Sequence, residues 1–222
     1  MKFVVIGCCG KMGKLVAKDL IEQNVQVYGV DKSVNGLPFK VVKKIEEIDF
    51  QIDAIIDFST ASDRRSYIEF ARNNKIPYAC FSTNVSENDL CEFETVSKEI
   101  PVLLSANSSQ GVQVLCNAVD MISSNLKDCD VVITEYHHKA KKDAPSGTAK
   151  KLESIILQNK KQCQISSFRV GNEVGFHKVE FYFGDEILEI SHRANSKNIF
   201  ALGAIKMVEK LIKKENGIYF NL

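Results

Sequence analysis

Neither sign of charge is in excess in this chain: 29 basic residues stand against 28 acidic ones, for a formal net charge of +1. There is no basic block of useful length, which argues against a nucleic-acid protein held by phosphate attraction. No apolar run reaches the roughly 18 residues of a membrane-spanning helix. The apolar core of Met1-Lys2-Phe3-Val4-Val5-Ile6-Gly7 is too short for a signal peptide and runs straight into a glycine turn. No C-x-x-C spacing occurs among the seven cysteines, Cys8, Cys9, Cys80, Cys91, Cys116, Cys129 and Cys163. An odd number without such spacing predicts thiols in a reducing cytoplasm, not a disulfide frame or a metal site. Internal repeats and low-complexity segments are absent. What remains is an ordinary soluble composition, 45% apolar over 222 residues, enough for one large or two small domains.

Phe3-Val4-Val5-Ile6 has the character of a buried parallel strand. Gly7-Cys8-Cys9-Gly10-Lys11-Met12-Gly13 follows. A helix then places Met12, Leu15, Val16 and Leu20 on one face, and a second strand, Val25 to Val30, ends at Asp31. Glycines in such a turn let backbone N–H groups approach a pyrophosphate, although the spacing is G-x-x-G-x-x-G and not G-x-G-x-x-G. Asp31 follows at close to the roughly 20-residue spacing of a carboxylate that binds the adenosine ribose. Asp31 favours NADH, because a carboxylate repels a 2′-phosphate. Lys11 and Lys32 attract one, so both nucleotides stay open.

The densest chemistry lies in Glu135-Tyr136-His137-His138-Lys139-Ala140-Lys141-Lys142-Asp143-Ala144-Pro145-Ser146-Gly147-Thr148-Ala149. Asp130 to Thr134 reads as a strand and Ser146 to Asn159 as a helix, so the charged run is predicted to be a loop, where sites tend to sit. Pro145 suits the entry to a helix, and Ser146 suits its N-cap. Gly147 and Thr148 then fall in the first turn, whose N–H groups have no partner within the helix. That makes a seat for a carboxylate or phosphate, to which His138 and Lys141 can add charge. His137 changes its protonation near neutral pH. A lysine among other cations gives up its proton more readily, which fits a donor role.

The run Glu135-x-His137-His138-x-x-Lys141-x-Asp143-Ala144-Pro145-Ser146-Gly147-Thr148-Ala149 resembles the signature of the dihydrodipicolinate reductase (4-hydroxy-tetrahydrodipicolinate reductase) family, of the diaminopimelate route to lysine. Other stretches resemble it too. They are the turn at 7–13, with Lys11 where arginine is usual; Asp57-Phe58-Ser59; Ala106-Asn107-Ser108-Ser109-Gln110-Gly111-Val112, with Ser108 for phenylalanine; Arg169-x-Gly171-x-x-x-Gly175-x-His177; and His192-Arg193-Ala194. At Phe81-Ser82-Thr83-Asn84 the family has Gly-Thr-Thr-Gly, and losing both glycines is expected to stiffen that loop against the cofactor. His177 and His192 are read as packing or hydrogen-bonded residues.

The resemblance implies an α/β fold. Residues 1–106 and 195–222 would form a doubly wound parallel dinucleotide-binding sheet, and 107–194 a second α+β domain with a mixed sheet. It implies reduction of a small dicarboxylate, 4-hydroxy-tetrahydrodipicolinate, by NADH and/or NADPH. His137 would be the general acid and Lys141 a second donor. His138, Lys141, Ser146, Gly147 and Thr148 would hold carboxylates. Cofactor contacts would come from Gly7, Gly10, Lys11, Met12, Gly13, Asp31, Lys32, Phe58, Ser59, Phe81, Ser82, Thr83, Ala106 and Asn107. A cytoplasmic homotetramer is implied, with neither nucleic acid nor membrane as partner. The alternatives are another NAD(P)-dependent reductase of a small acid and a non-catalytic nucleotide-binding sensor.

Overall fold

A computed structural model describes residues 1–33, 36–60, 63–83, 85–220 and 222. Asn84 of the loop at 81–84 lies outside them. The chain divides into two compact units, Met1–Ser108 with Phe200–Leu222, and Ser109–Ile199.

Along the first unit run β1 (Lys2–Ile6), α1 (Lys11–Glu22), β2 (Gln26–Val30), β3 (Val41–Val42), β4 (Ala54–Asp57), α2 (Arg64–Asn73), β5 (Tyr78–Cys80), α3 (Glu87–Val96) and β6 (Pro101–Leu104). The second unit holds α4 (Gln110–Asn125), β7 (Asp130–His137), α5 (Gly147–Gln158), β8 (Cys163–Arg169), β9 (Gly175–Phe183) and β10 (Glu186–Ala194). The chain then returns through α6 (Asn198–Leu211) to β11 (Gly217–Tyr219).

The first sheet has the order β3-β2-β1-β4-β5-β6-β11, and all its pairings are parallel. Up to β6 this is the doubly wound order of dinucleotide-binding folds. The strands are short and nearly all apolar because both faces are covered. Val4, Ile6, Ile55 and Tyr78 face one core with Phe93 of α3. Phe3, Val5, Ala54 and Ile56 face the other, with Val16 and Leu20 of α1 and Ala201, Ala204 and Val208 of α6. The capping box at Ser86 is present: Asp89 N–H donates to Ser86 Oγ at 3.1 Å, and Ser86 N–H donates to the Asp89 carboxylate at 2.9 Å. The helix it opens ends at Val96.

The second sheet has the order β10-β9-β7-β8 and is mixed, with β7 parallel to β8 and antiparallel to β9. Strands β9 and β10 form a hairpin that turns at Gly184-Asp185, where Gly184 takes a φ of +54°. Helices α4 and α5 cover one face, with Val112, Leu115, Val119, Leu152 and Ile156 packed on Val131, Ile133, Val179 and Phe181.

One prediction is corrected here. The run from Glu135 is not all loop, because β7 continues to His137 and carries Glu135 and His137 in strand geometry. Along the covered face of this sheet the pairs Val131–Phe181 and Ile133–Val179 give way to Glu135–His177. The same face therefore turns from apolar to ionisable along its length.

Candidate functional site

In the first unit the strands are parallel, so their carboxyl ends share one edge, the edge where such sheets bind ligands. Gly7 follows β1 there, Asp31 follows β2, Phe58 and Ser59 follow β4, Phe81, Ser82 and Thr83 follow β5, and Ala106 and Asn107 lie just beyond β6. Gly7 has a φ of +73°, and its N–H is bonded to Val30 O at 2.9 Å. A Cβ on Gly13 would stand 2.2 Å from Gly7 O, and one on Gly7 3.1 Å from the backbone of Phe58. Gly10 is the N-cap of α1 and has no side chain to fill the cap. No side chain takes up the first helical N–H groups, which fits a pyrophosphate.

Lys11 at the start of α1 is exposed, and Met12 is half-buried. Asp31 is engaged with this turn: its carboxylate accepts the N–H of Cys9 at 2.9 Å and of Ser33 at 3.2 Å. Lys32 is exposed and lies 3.6 Å from Asp63. Rings of Phe58 and Phe81 stack with centroids 5.3 Å apart. Beneath them is a network that sequence reasoning missed. Asp57 accepts from Ser59 N–H at 2.6 Å and Tyr78 Oη at 2.7 Å, and buried Arg64 bridges Asp57 to Asp89.

In the second unit the site gathers around Glu135, which has no exposed surface. Its Oε1 accepts the N–H of Ser146 and a guanidinium N–H of Arg169, each at 3.0 Å. Its Oε2 lies 3.0 Å from His137 Nδ1 and 3.7 Å from His177 Nε2. Burial opposes ionisation of Glu135, but Ser146, Ser167 and Arg169 outweigh it and bring the carboxyl down to about 2. Burial pushes His177 down to about 4, with His137 adding to the effect and Glu135 opposing it. Burial also lowers His137, against the pull of Glu135. Burial thus disfavours the imidazolium form of both rings. Glu135, His137 and His177 bring ligand atoms within 4.8 Å of one another, the make-up of a metal site. A buried carboxylate lying beside two imidazoles gives the same geometry without an ion.

Ser146 caps α5: its Oγ accepts Ala149 N–H at 3.3 Å and lies 3.2 Å from His177 Nε2. The peptide bond before Pro145 is cis. A Cβ on Gly147 would meet nothing within 4 Å, so the first turn of α5 opens onto space. Lys141 is not surrounded by cations alone, as the sequence had implied. Its Nζ lies 2.7 and 2.9 Å from the two carboxylate oxygens of Asp143. Arg169 also donates to Asp143 O and so ties this loop to Glu135. His138 is half-buried just past β7, and Thr148 is half-buried in the first turn of α5. His192 packs on Gly111, where a Cβ would stand 2.5 Å from its ring.

Family models for the N-terminus and the C-terminus of dihydrodipicolinate reductase match residues 1–108 and 111–222. The chain belongs to the dihydrodipicolinate reductase family.

A 4-hydroxy-tetrahydrodipicolinate reductase of Caldanaerobacter subterraneus subsp. tengcongensis is 36% identical over 99% of this chain and 96% of its own length. One from Clostridium novyi is 33% identical over 98% of this chain and 95% of its own length. Among solved structures, dipicolinate-bound dihydrodipicolinate reductase from Paenisporosarcina sp. TG-14 aligns over 100% of this chain and 98% of its own. Its TM-score is 0.85 at 16% identity, a likeness of fold. Within this member of the dihydrodipicolinate reductase family, the sequence had named Glu135 and Arg169 only as parts of motifs and had read His177 as a packing or hydrogen-bonded residue. The signal available was strand alternation, which puts Glu135 and His137 on the face that carries Ile133.

Proposed function

We propose that this chain reduces 4-hydroxy-tetrahydrodipicolinate to tetrahydrodipicolinate, with loss of water, in the diaminopimelate route to lysine. NADH or NADPH supplies the hydride when bound. The unit built on the parallel sheet holds the dinucleotide, with Gly7, Gly10, Lys11, Met12 and Gly13 around the pyrophosphate and Asp31 and Lys32 towards the ribose. Phe58, Ser59, Phe81, Ser82, Thr83, Ala106 and Asn107 form the rest of that wall.

The unit built on the mixed sheet holds the substrate. The observation that carries this reading is the polar end of β7, where an open helix N-terminus at Gly147 follows a strand carrying His137 and a loop carrying Lys141. A cyclic dicarboxylate needs cations and N–H donors for two carboxylates, which His138, Lys141, Ser146, Gly147 and Thr148 provide. Hydride addition to an unsaturated acceptor also needs a proton, given by His137 with Lys141 as second donor.

The chain works as a cytoplasmic homotetramer in this reading. Two observations support it. All seven cysteines are free thiols. The uncovered face and edges of the mixed sheet expose Phe168, Val170, Tyr182, Ile187 and Leu188, an apolar surface suited to another copy. Light scattering of the purified protein tests this, and a monomer at micromolar concentration would refute it.

The decisive experiment is a coupled assay in which the substrate is generated in place and oxidation of each nucleotide is followed. Turnover is expected with at least one of them. NADH binding without turnover would favour a sensor, and turnover of a different imine or keto acid alone would favour another reductase.

A further inference from the structure

Glu135 has no part in the chemistry proposed above, yet it sits at the centre of the substrate site. Its two oxygens have different surroundings. Oε1 is satisfied by Ser146 N–H and Arg169. Oε2 is buried with no aligned donor, although His137 Nδ1 lies 3.0 Å away and Ser167 also favours this carboxylate. A carboxylate oxygen left so is costly, and a proton on His137 Nδ1, with a small turn of the ring, removes the cost. On the other side of that ring a Cβ at Gly175 would stand 3.2 Å from Nε2, so glycine there keeps Nε2 uncrowded.

We propose that Glu135 is a positioning residue: its carboxylate holds His137 with Nδ1 protonated and Nε2 as the proton-transferring nitrogen. Through Ser146 N–H the same carboxylate fixes that ring relative to the first turn of α5. The inference rests on the reading of His137 as proton donor. The groups facing His137 are Glu135 on its own strand, Lys141 and Asp143 from the loop, Arg169 on β8 and His177 on β9. Burial, Lys141 and Arg169 work against the imidazolium, whereas Glu135 and Asp143 stabilise it.

Glu135→Gln separates the two roles. The amide oxygen still accepts from Ser146 and Arg169, while the NH2 group replaces Oε2 and offers His137 Nδ1 no acceptor. Turnover is expected to fall about 10²-fold with KM for the dicarboxylate little changed. A general acid works only while protonated, so activity is lost as pH rises through its pKa. Removing the charge that favours the imidazolium moves that loss to lower pH, by about one pH unit. Unchanged kcat with an unmoved pH limb overturns the inference.

A second measurement needs no variant to fold. Nitrogen NMR of histidine-labelled wild-type protein should find neutral His137 protonated at Nδ1, and a proton on Nε2 overturns the proposal directly. Failure of the underlying reading looks different: His137→Gln would turn over normally, and the inference would fall with it whatever the tautomer.

Discussion

Two carboxylates of this molecule are completely buried near strand ends, Asp57 at the end of β4 and Glu135 near the end of β7. Each lies by an arginine, and each network reaches an N-cap serine. Asp57 is bonded to Tyr78 and to the Ser59 N–H, and Arg64 links it to Asp89 and so to the Ser86 cap. None of these partners changes charge in the ordinary pH range. Glu135 has Arg169 and Ser146, but its second oxygen faces two imidazoles. The first network ties the Ser59 backbone to Tyr78, Arg64 and Asp89. In the reading proposed above, the second holds a proton that can move. In that reading, what separates the two buried charges is the variability of their partners, since the depth of burial is the same.

The largest effect should come from breaking the fixed network. Arg64→Leu leaves two buried carboxylates without their cation, a loss of about 3–5 kcal/mol. Arg169→Leu should cost less, because His137 and His177 can take up a proton beside Glu135. Urea unfolding of the two variants measures this, and equal losses would erase the distinction.

Acid sharpens the comparison next. Glu135 binds its proton near 4.5 when unfolded and at about 2 when folded. Its share of stability is therefore complete above 4.5 and lost as pH falls towards 2. His177 binds its proton near 6.5 unfolded and at about 4 folded, so protonation favours the unfolded chain as pH falls from 6.5 to 4. Each amounts to something on the order of 3 kcal/mol. His177→Gln should flatten the upper part of the acid-unfolding curve and Glu135→Gln the lower. A curve unchanged in both windows would show that these groups titrate alike in both states.

Lys141→Ala comes third. The Lys141–Asp143 pair is partly exposed, so its loss should cost roughly 1 kcal/mol or less in stability. Turnover should nonetheless fall by at least about 10²-fold with NADH affinity kept. Steady-state kinetics beside calorimetry decide it, and unchanged turnover removes Lys141 from the mechanism.

The two networks also differ in how far they could be read from the chain. The glycine turn and the His137-to-Ala149 run are contiguous, so their chemistry shows in a short window. Arg64 and its carboxylates Asp57 and Asp89 follow no local period, and only folding brings them together. The extension of β7 was hidden because Glu135 and His137 are polar, and polar residues read as surface even where strand alternation turns them inward. Strand β8 went unseen because it is an edge strand with Gln164, Ser166 and Phe168 exposed and only Cys163 and Ile165 apolar on its inner face. Strands β3 and β11, of two and three residues, are too short to leave a pattern.

The smallest effect tests the comparison at the two capping serines. Ser86 Oγ accepts Asp89 N–H at 3.1 Å, and Ser146 Oγ accepts Ala149 N–H at 3.3 Å. As caps they are equivalent, and Ser86→Ala and Ser146→Ala should each cost about 1 kcal/mol. Their other neighbours differ. The carboxylate beside Ser86 keeps its bond to Arg64 when the hydroxyl is gone, so turnover should stay at the wild-type level. Ser146 Oγ also lies 3.2 Å from His177 Nε2, at the end of a helix whose first turn faces open space. Its removal should raise KM for the dicarboxylate several-fold, by roughly the 1–2 kcal/mol of one hydrogen bond. Thermal melts paired with KM measurements on both variants give the answer. A KM that moves equally in both, or in neither, would mean that the Ser146 cap is as purely structural as its counterpart.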